Sequence, residues 1–184
     1  MALPVRQMRS GLIFTPTPLL RSELLSGAFE ADIWLKYETM TPIASFKLRC
    51  ALNAVINAQQ SGTEGVVTSS TGNHGQGVAY AARLLGMSAD IFLPNPANQV
   101  KAQMIAAFGG GVHEIGDDFD IAKAASMKFA DQHGYHFVND GEAIDVMEGA
   151  GTIGLEIAQQ LEQIDLLLIP LGGGNLSGAV VSPR

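Results

Sequence analysis

Cysteine is almost missing. Cys50 is the only one in 184 residues, and a single thiol cannot close an intrachain disulfide. A reducing, cytoplasmic setting is therefore expected. Basic residues are scarce as well: Lys and Arg number 11 against 18 Asp and Glu, for a formal net charge of -7. A nucleic-acid surface needs clustered cations, so that class of partner is set aside. Long apolar runs are lacking too. The longest aliphatic stretch, Leu166 to Ile169, is stopped by Pro170 and is far too short to cross a bilayer. The opening residues, MALPVRQMRSG, hold no apolar core of a secretory leader. No membrane partner is expected.

What the chain does hold is enough apolar sequence for a core. Hydrophobic residues make up 47% and charged ones 16%, which excludes global disorder. Strand-like and helix-like patterns alternate. The strand runs are Ile33–Tyr37, Gly65–Ser69, Ala89–Leu93, Gly111–Ile115, Tyr135–Val138 and Leu166–Ile169. Apolar residues recur at helical spacing over 46–60, 74–85, 97–108, 118–132 and 152–161. Gly62, Gly86, Gly109 and Gly134 follow four of these helices, as glycine does when a helix ends in the left-handed conformation. Strand and helix in turn predict an α/β fold with parallel sheets flanked by helices.

In such folds ligands bind beyond the carboxyl ends of strands. Two small, polar, glycine-rich loops stand there: SSTGNHGQG at 69–77 and PLGGGNLSG at 170–178. Free backbone N–H groups at such turns favour an anion such as phosphate. A third feature is Lys47, which follows Ser45, a candidate N-cap, in the first turn of a helix. Cations are disfavoured at that end of the helix dipole. A lysine beside apolar groups there is pushed toward its neutral, nucleophilic form. Such an amine, two anion-binding loops and an α/β scaffold suit pyridoxal phosphate, whose aldehyde bonds lysine.

The motifs sharpen this. SFKLRCA at 45–51 resembles the S-F-K-x-R-G-A lysine motif of the fold-type II pyridoxal-phosphate enzymes, the tryptophan-synthase-β-like group. SSTGNHGQGVA resembles their S-x-G-N-H-x-Q-x-x-A loop, and PLGGGNLSG their glycine-run phosphate loop, usually G-G-G-G-L. TPTPLL at 15–20, WLKYETMTPIASFK at 34–47 and GAGTIGLEIAQQL at 149–161 are similar, in order, to the branch of serine/threonine dehydratases and serine racemases. The resemblance covers nearly the whole chain.

It implies roles. Lys47 is the Schiff-base lysine and the base at Cα. Phe46 packs beside the pyridine ring, and Asn73 bonds the ring hydroxyl. Ser70, Thr71, Gly72 and His74 receive the substrate carboxylate. Gly172, Gly173, Gly174, Asn175 and Leu176 hold the phosphate of pyridoxal 5'-phosphate. The implied reaction is loss of water from a hydroxy amino acid such as L-threonine or L-serine, giving a 2-oxo acid and ammonia. A serine- or aspartate-type racemase and a hydroxyaspartate dehydratase are the alternatives within the fold. Thr71 stands where the dehydratases commonly have alanine and the racemases serine, so its hydroxyl is a candidate second catalytic group. The implied architecture is a large domain of residues 1–62 and 139–184, continuing past the chain end, with a small α/β domain of 63–138 inserted. The segment alone is then expected to be an inactive fragment, and the intact protein a homodimer or tetramer.

Other readings are weaker. A nucleotide-binding oxidoreductase turn at GGGNLSG lacks a full G-x-G-x-x-G. Asp117, Asp118 and Asp120 suit a helix N-terminus better than a metal, so no metal site is expected. Cys50 reads as a small buried residue, and His113, His133 and His136 as strand ends and loops without a role. Two further departures from the family stand out. Asn175 replaces a fourth glycine, and FVNDGEAID at 137–145 lacks the proline common just after that strand.

Overall fold

Gly65–Ser69 forms a strand buried at every position, as a central parallel strand must be when both faces are covered. The computed structural model of the protein describes residues 15–141 and 143–181. The residues read for a leader, 1–11, lie outside that range.

The described chain begins with β1 (Leu19–Arg21), α1 (Glu23–Phe29) and β2 (Trp34–Lys36), followed by a 3₁₀ turn at Glu38–Met40. Next come α2 (Lys47–Gln60), β3 (Gly65–Ser69), α3 (Asn73–Leu85), β4 (Ser88–Leu93), α4 (Gln99–Ala107) and β5 (Gly111–Glu114). The last elements are α5 (Phe119–His133), β6 (His136–Phe137), α6 (Ile144–Gln160) and α7 (Asn175–Val181). β1 and β2 pair antiparallel, with Leu20 opposite Leu35. The other four strands form one parallel sheet in the order β5-β4-β3-β6. Helices α2, α3 and α6 pack side by side around Leu48, Ala51, Leu52, Val55, Val78, Ala82, Val146 and Ala150. Gly86 and Gly134 end α3 and α5 at φ 69° and 65°, where glycine carries no Cβ penalty.

Three expectations need correction. Leu166–Ile169 forms no strand: Leu166 and Leu168 are 75% and 84% exposed. An apolar run becomes a strand only with a neighbour to complete its backbone ladder, and no strand pairs with it among the described residues. α6 starts at Ile144 instead of residue 152, so Gly149, Ala150 and Gly151 lie inside it. Those glycines serve packing: a Cβ on Gly149 would stand 2.8 Å from the Cα of Cys50 in α2. Finally, Ser45 is not the N-cap of α2. Phe46 occupies that position at φ -58°, although Ser45 Oγ still accepts the Lys47 amide at 3.3 Å.

Candidate functional site

The turn before α2 is tightly bonded. Thr41 Oγ1 accepts the Ser45 amide at 2.9 Å and donates to the Ser45 carbonyl at 2.8 Å. Ala44 between them sits at φ 53°, a left-handed conformation that alanine adopts rarely. This brace delivers Phe46 and Lys47 to the wall of a cavity of about 550 Å³. Facing them are Gly172, Gly173, Gly174, Asn175 and Leu176, with Phe137, Val138 and Asp140 between. Loops 45–47 and 172–176, 125 residues apart in sequence, thus share one chamber.

Charge in the chamber centres on Lys47. Its Nζ donates to Asp140 Oδ1 and lies 5.4 Å from the centroid of the Phe46 ring. Asp140 Oδ1 is also 3.2 Å from Nδ1 of His74, a fully enclosed ring. Neither His74 nitrogen completes a well-formed hydrogen bond with a described residue. Burial pushes the His74 pKa below its usual value, against the pull of Asp140. Cys50 lines the same wall; burial pushes its thiol up to about 12, so it stays protonated and inert.

Two residues after Lys47, Arg49 is completely buried in a charged cluster. Its guanidinium reaches both oxygens of Glu156, at 2.6 and 2.8 Å, and both of Glu38, at 2.9 and 2.8 Å. Lys36 Nζ joins Glu156 at 2.7 Å. Burial alone would raise the Glu156 pKa; the hydrogen bonds and charges of Arg49 and Lys36 outweigh it and hold the pKa lowered. The cluster ties the first turn of α2 to α6 and to the 3₁₀ turn. Only the arginine of the lysine motif hinted at it in the sequence.

The second glycine loop is arranged differently. Ser70 is buried, and its Oγ accepts the amides of Gly72 and Gly75 at 3.3 and 3.1 Å. Thr71 and Asn73 are exposed and do not line the large cavity. Thr71 borders a separate pocket of about 50 Å³ with Pro94, Pro96 and Lys101, and Asn73 Oδ1 accepts from Lys101 Nζ at 2.9 Å. Of the acidic trio, Asp118 caps α5 by accepting the Ile121 amide at 2.8 Å. Asp140 was missed by sequence reasoning. Its one signal was the missing proline after β6.

The chamber's donors fit pyridoxal phosphate. A primary amine suits the aldehyde, and apolar walls suit the ring. Among the described residues nothing accepts from the amides of Gly172, Gly173 or Gly174, which leaves them free for phosphate. A Cβ on Gly172 or Gly173 would meet no atom within 4 Å, and Gly174 has φ 90°, so side chains are absent where the cavity is open.

Comparison with known proteins gives the same answer. Residues 12–183 match the family described as "Pyridoxal-phosphate dependent enzyme". The biosynthetic L-threonine dehydratase of Salmonella typhimurium is 38% identical over 166 residues, covering 89% of this chain and 32% of that protein. The structure of the processed form of threonine deaminase isoform 2 from Solanum lycopersicum superposes with a TM-score of 0.85 at 36% identity, covering 90% of this chain and 49% of that one. Maize serine racemase has a TM-score of 0.88 at 27% identity, over 96% and 55%. The chain spans about a third of the length of the curated relatives it matches. With a family match over residues 12–183 and the same fold in the solved relatives, this chain belongs to the pyridoxal-phosphate-dependent enzymes of fold type II.

Proposed function

We propose that this chain supplies the lysine and phosphate loop of an ammonia-lyase that converts a hydroxy amino acid, such as L-threonine or L-serine, into a 2-oxo acid and ammonia. The observation that carries the reading is the meeting of Lys47 with Gly172–Gly174 across one cavity, in a chain 38% identical to a threonine dehydratase. When bound, the cofactor supplies an electron sink for the charge left at Cα.

The chain's own residues do the rest. Lys47 Nζ would hold the aldehyde and, as a free amine, would take the Cα proton. The free amides of Gly172, Gly173 and Gly174 would hold the phosphate. Phe46 and Phe137, on the cavity wall, would shut water from the ring. The loop Ser70–His74 is assigned the substrate carboxylate on the family pattern, with Ser70 Oγ fixing its turn. Asn73 is assigned the ring hydroxyl on the family pattern; its Oδ1 accepts from Lys101 and its Nδ2 remains available to donate. Thr71, exposed beside the smaller pocket, has the weakest support for a catalytic role, which disfavours the racemase alternative.

The test uses absorbance and product together. Adding pyridoxal phosphate gives a visible band, borohydride abolishes it, and peptide mapping puts the reduced adduct on Lys47. A panel of L-threonine, L-serine and hydroxyaspartate is then assayed for 2-oxo acid and for change of configuration. An adduct on another lysine sinks the assignment. Inversion of configuration without 2-oxo acid supports the racemase, and cofactor binding without turnover supports an inactive fragment.

A further inference from the structure

No motif singles out Asp140, yet it sits at the centre of the chamber's charge. Its Oδ1 accepts from Lys47 Nζ and stands 3.2 Å from His74 Nδ1. The segment that carries it is tied from the opposite wall. Asn175 Nδ2 donates to the carbonyls of Asp140 and Gly141, at 3.1 and 2.8 Å. Two departures from the family pattern thereby meet: the acidic stretch that lacks a proline after β6, and the asparagine in place of a fourth glycine. Glycine at 175 would have no side-chain amide to make these bonds.

Resting on the cofactor reading above, we propose that Asp140 is a further catalytic residue, the carboxylate that carries protons between Lys47 Nζ and the cofactor's aldehyde oxygen, with Asn175 as its positioning residue. Joining a lysine ammonium to an aldehyde forms the nitrogen–carbon bond and breaks the carbon–oxygen bond. Two protons pass from nitrogen to oxygen, and the oxygen leaves as water. The first must go before the nitrogen has a lone pair for attack. Asp140 Oδ1, already on that nitrogen, accepts each proton and returns it to the oxygen. His74 is the poorer carrier, because burial disfavours the charged form of its ring. Lys123 is the other cation on the cavity wall, and no hydrogen bond joins it to Asp140 among the described residues.

The experiment compares the full chain with Asp140→Asn, Asp140→Glu and Asn175→Gly, each checked for folding by circular dichroism. Two rates are read: acetylation of Lys47 without cofactor, by peptide mass, and capture of pyridoxal phosphate, by its visible band. The two should move in opposite directions. Asp140→Asn frees the amine from its counter-charge, so acetylation at pH 7 rises about threefold, the scale of a partly exposed ion pair. Capture falls at least tenfold, because a proton carrier is lost. Asp140→Glu restores most of the capture rate. Asn175→Gly gives the same signs at smaller size, and carries the test alone if the Asp140 variants misfold. Capture that is unchanged, or that rises with acetylation, makes Asp140 a mere counter-ion and overturns the proposal. So does acetylation indifferent to Asp140. A wild-type chain that never captures the cofactor overturns the functional reading and the proton role with it, even where acetylation still responds to Asp140→Asn.

Discussion

Arg49 is wholly enclosed and yet keeps its charge, because Glu38 and Glu156 each meet it with both carboxylate oxygens. Burial would lower its pKa, and the two carboxylates more than reverse that. Such a pair adds little net stability over an apolar replacement, but breaking it strands a buried charge. Arg49→Met is therefore expected to lose about 3–5 kcal/mol in urea denaturation. Replacing Glu38 by Gln in that background should recover part of the loss, since its cation is gone while Lys36 still holds Glu156. A single variant within about 0.5 kcal/mol of wild type would show that the cluster bears no load. Cys50 gives a second residue-scale test. Its proton leaves near pH 12 in the fold, against 9.0 ordinarily. Above pH 9 the unfolded chain binds fewer protons than the folded one, so stability falls as pH rises from 9 toward 12. Cys50→Ala should flatten that slope in a pH series of melting curves, and an equal slope in both proteins would refute the account.

At the scale of elements, β3 to β5 and α2 to α5 were readable because each carries its own period and stop signal. Gly86 and Gly134 mark two helix ends without help from the rest of the fold. What the sequence hid depends on neighbours. α6 crosses Gly149 and Gly151, which look like a loop until α2 is seen lying against them. Leu166–Ile169 has a strand's composition but no partner. Of the site, Lys47 and the glycines of 172–174 could be read from motifs. Asp140 could not, because its place beside Lys47 rests on contacts distant in sequence, among them the bond from Asn175, 35 residues away, to its carbonyl. The close approach at Gly149 makes its own prediction. A Cβ there overlaps the Arg49 carbonyl, which is backbone and cannot swing aside. Gly149→Ala should destabilise by about 1–3 kcal/mol through overpacking, and should also slow cofactor capture by displacing the turn that carries Lys47. A variant as stable as wild type, with normal capture, would mean that the two helices separate freely.

For the molecule as a whole, the cavity lies where two kinds of surface meet. One wall comes from α2 and β6, held by the packed core. The other is the 170–176 loop, which follows an extended apolar run. Leu166, Leu168 and Leu171 are 75%, 84% and 78% exposed there, and no strand pairs with the run. An exposed apolar stretch of this kind is a surface for association with another chain. The net charge of -7 opposes association in low salt, and salt screens that repulsion within about 10 Å at 0.1 M. Self-association that grows with both protein concentration and salt is therefore expected in sedimentation velocity. Leu166→Lys combined with Leu168→Lys should suppress it by adding charge to the edge, while leaving Lys47 labelling unchanged because neither leucine lines the cavity. A wild-type chain that stays monomeric at high concentration and high salt would mean that this run is already covered by its own chain.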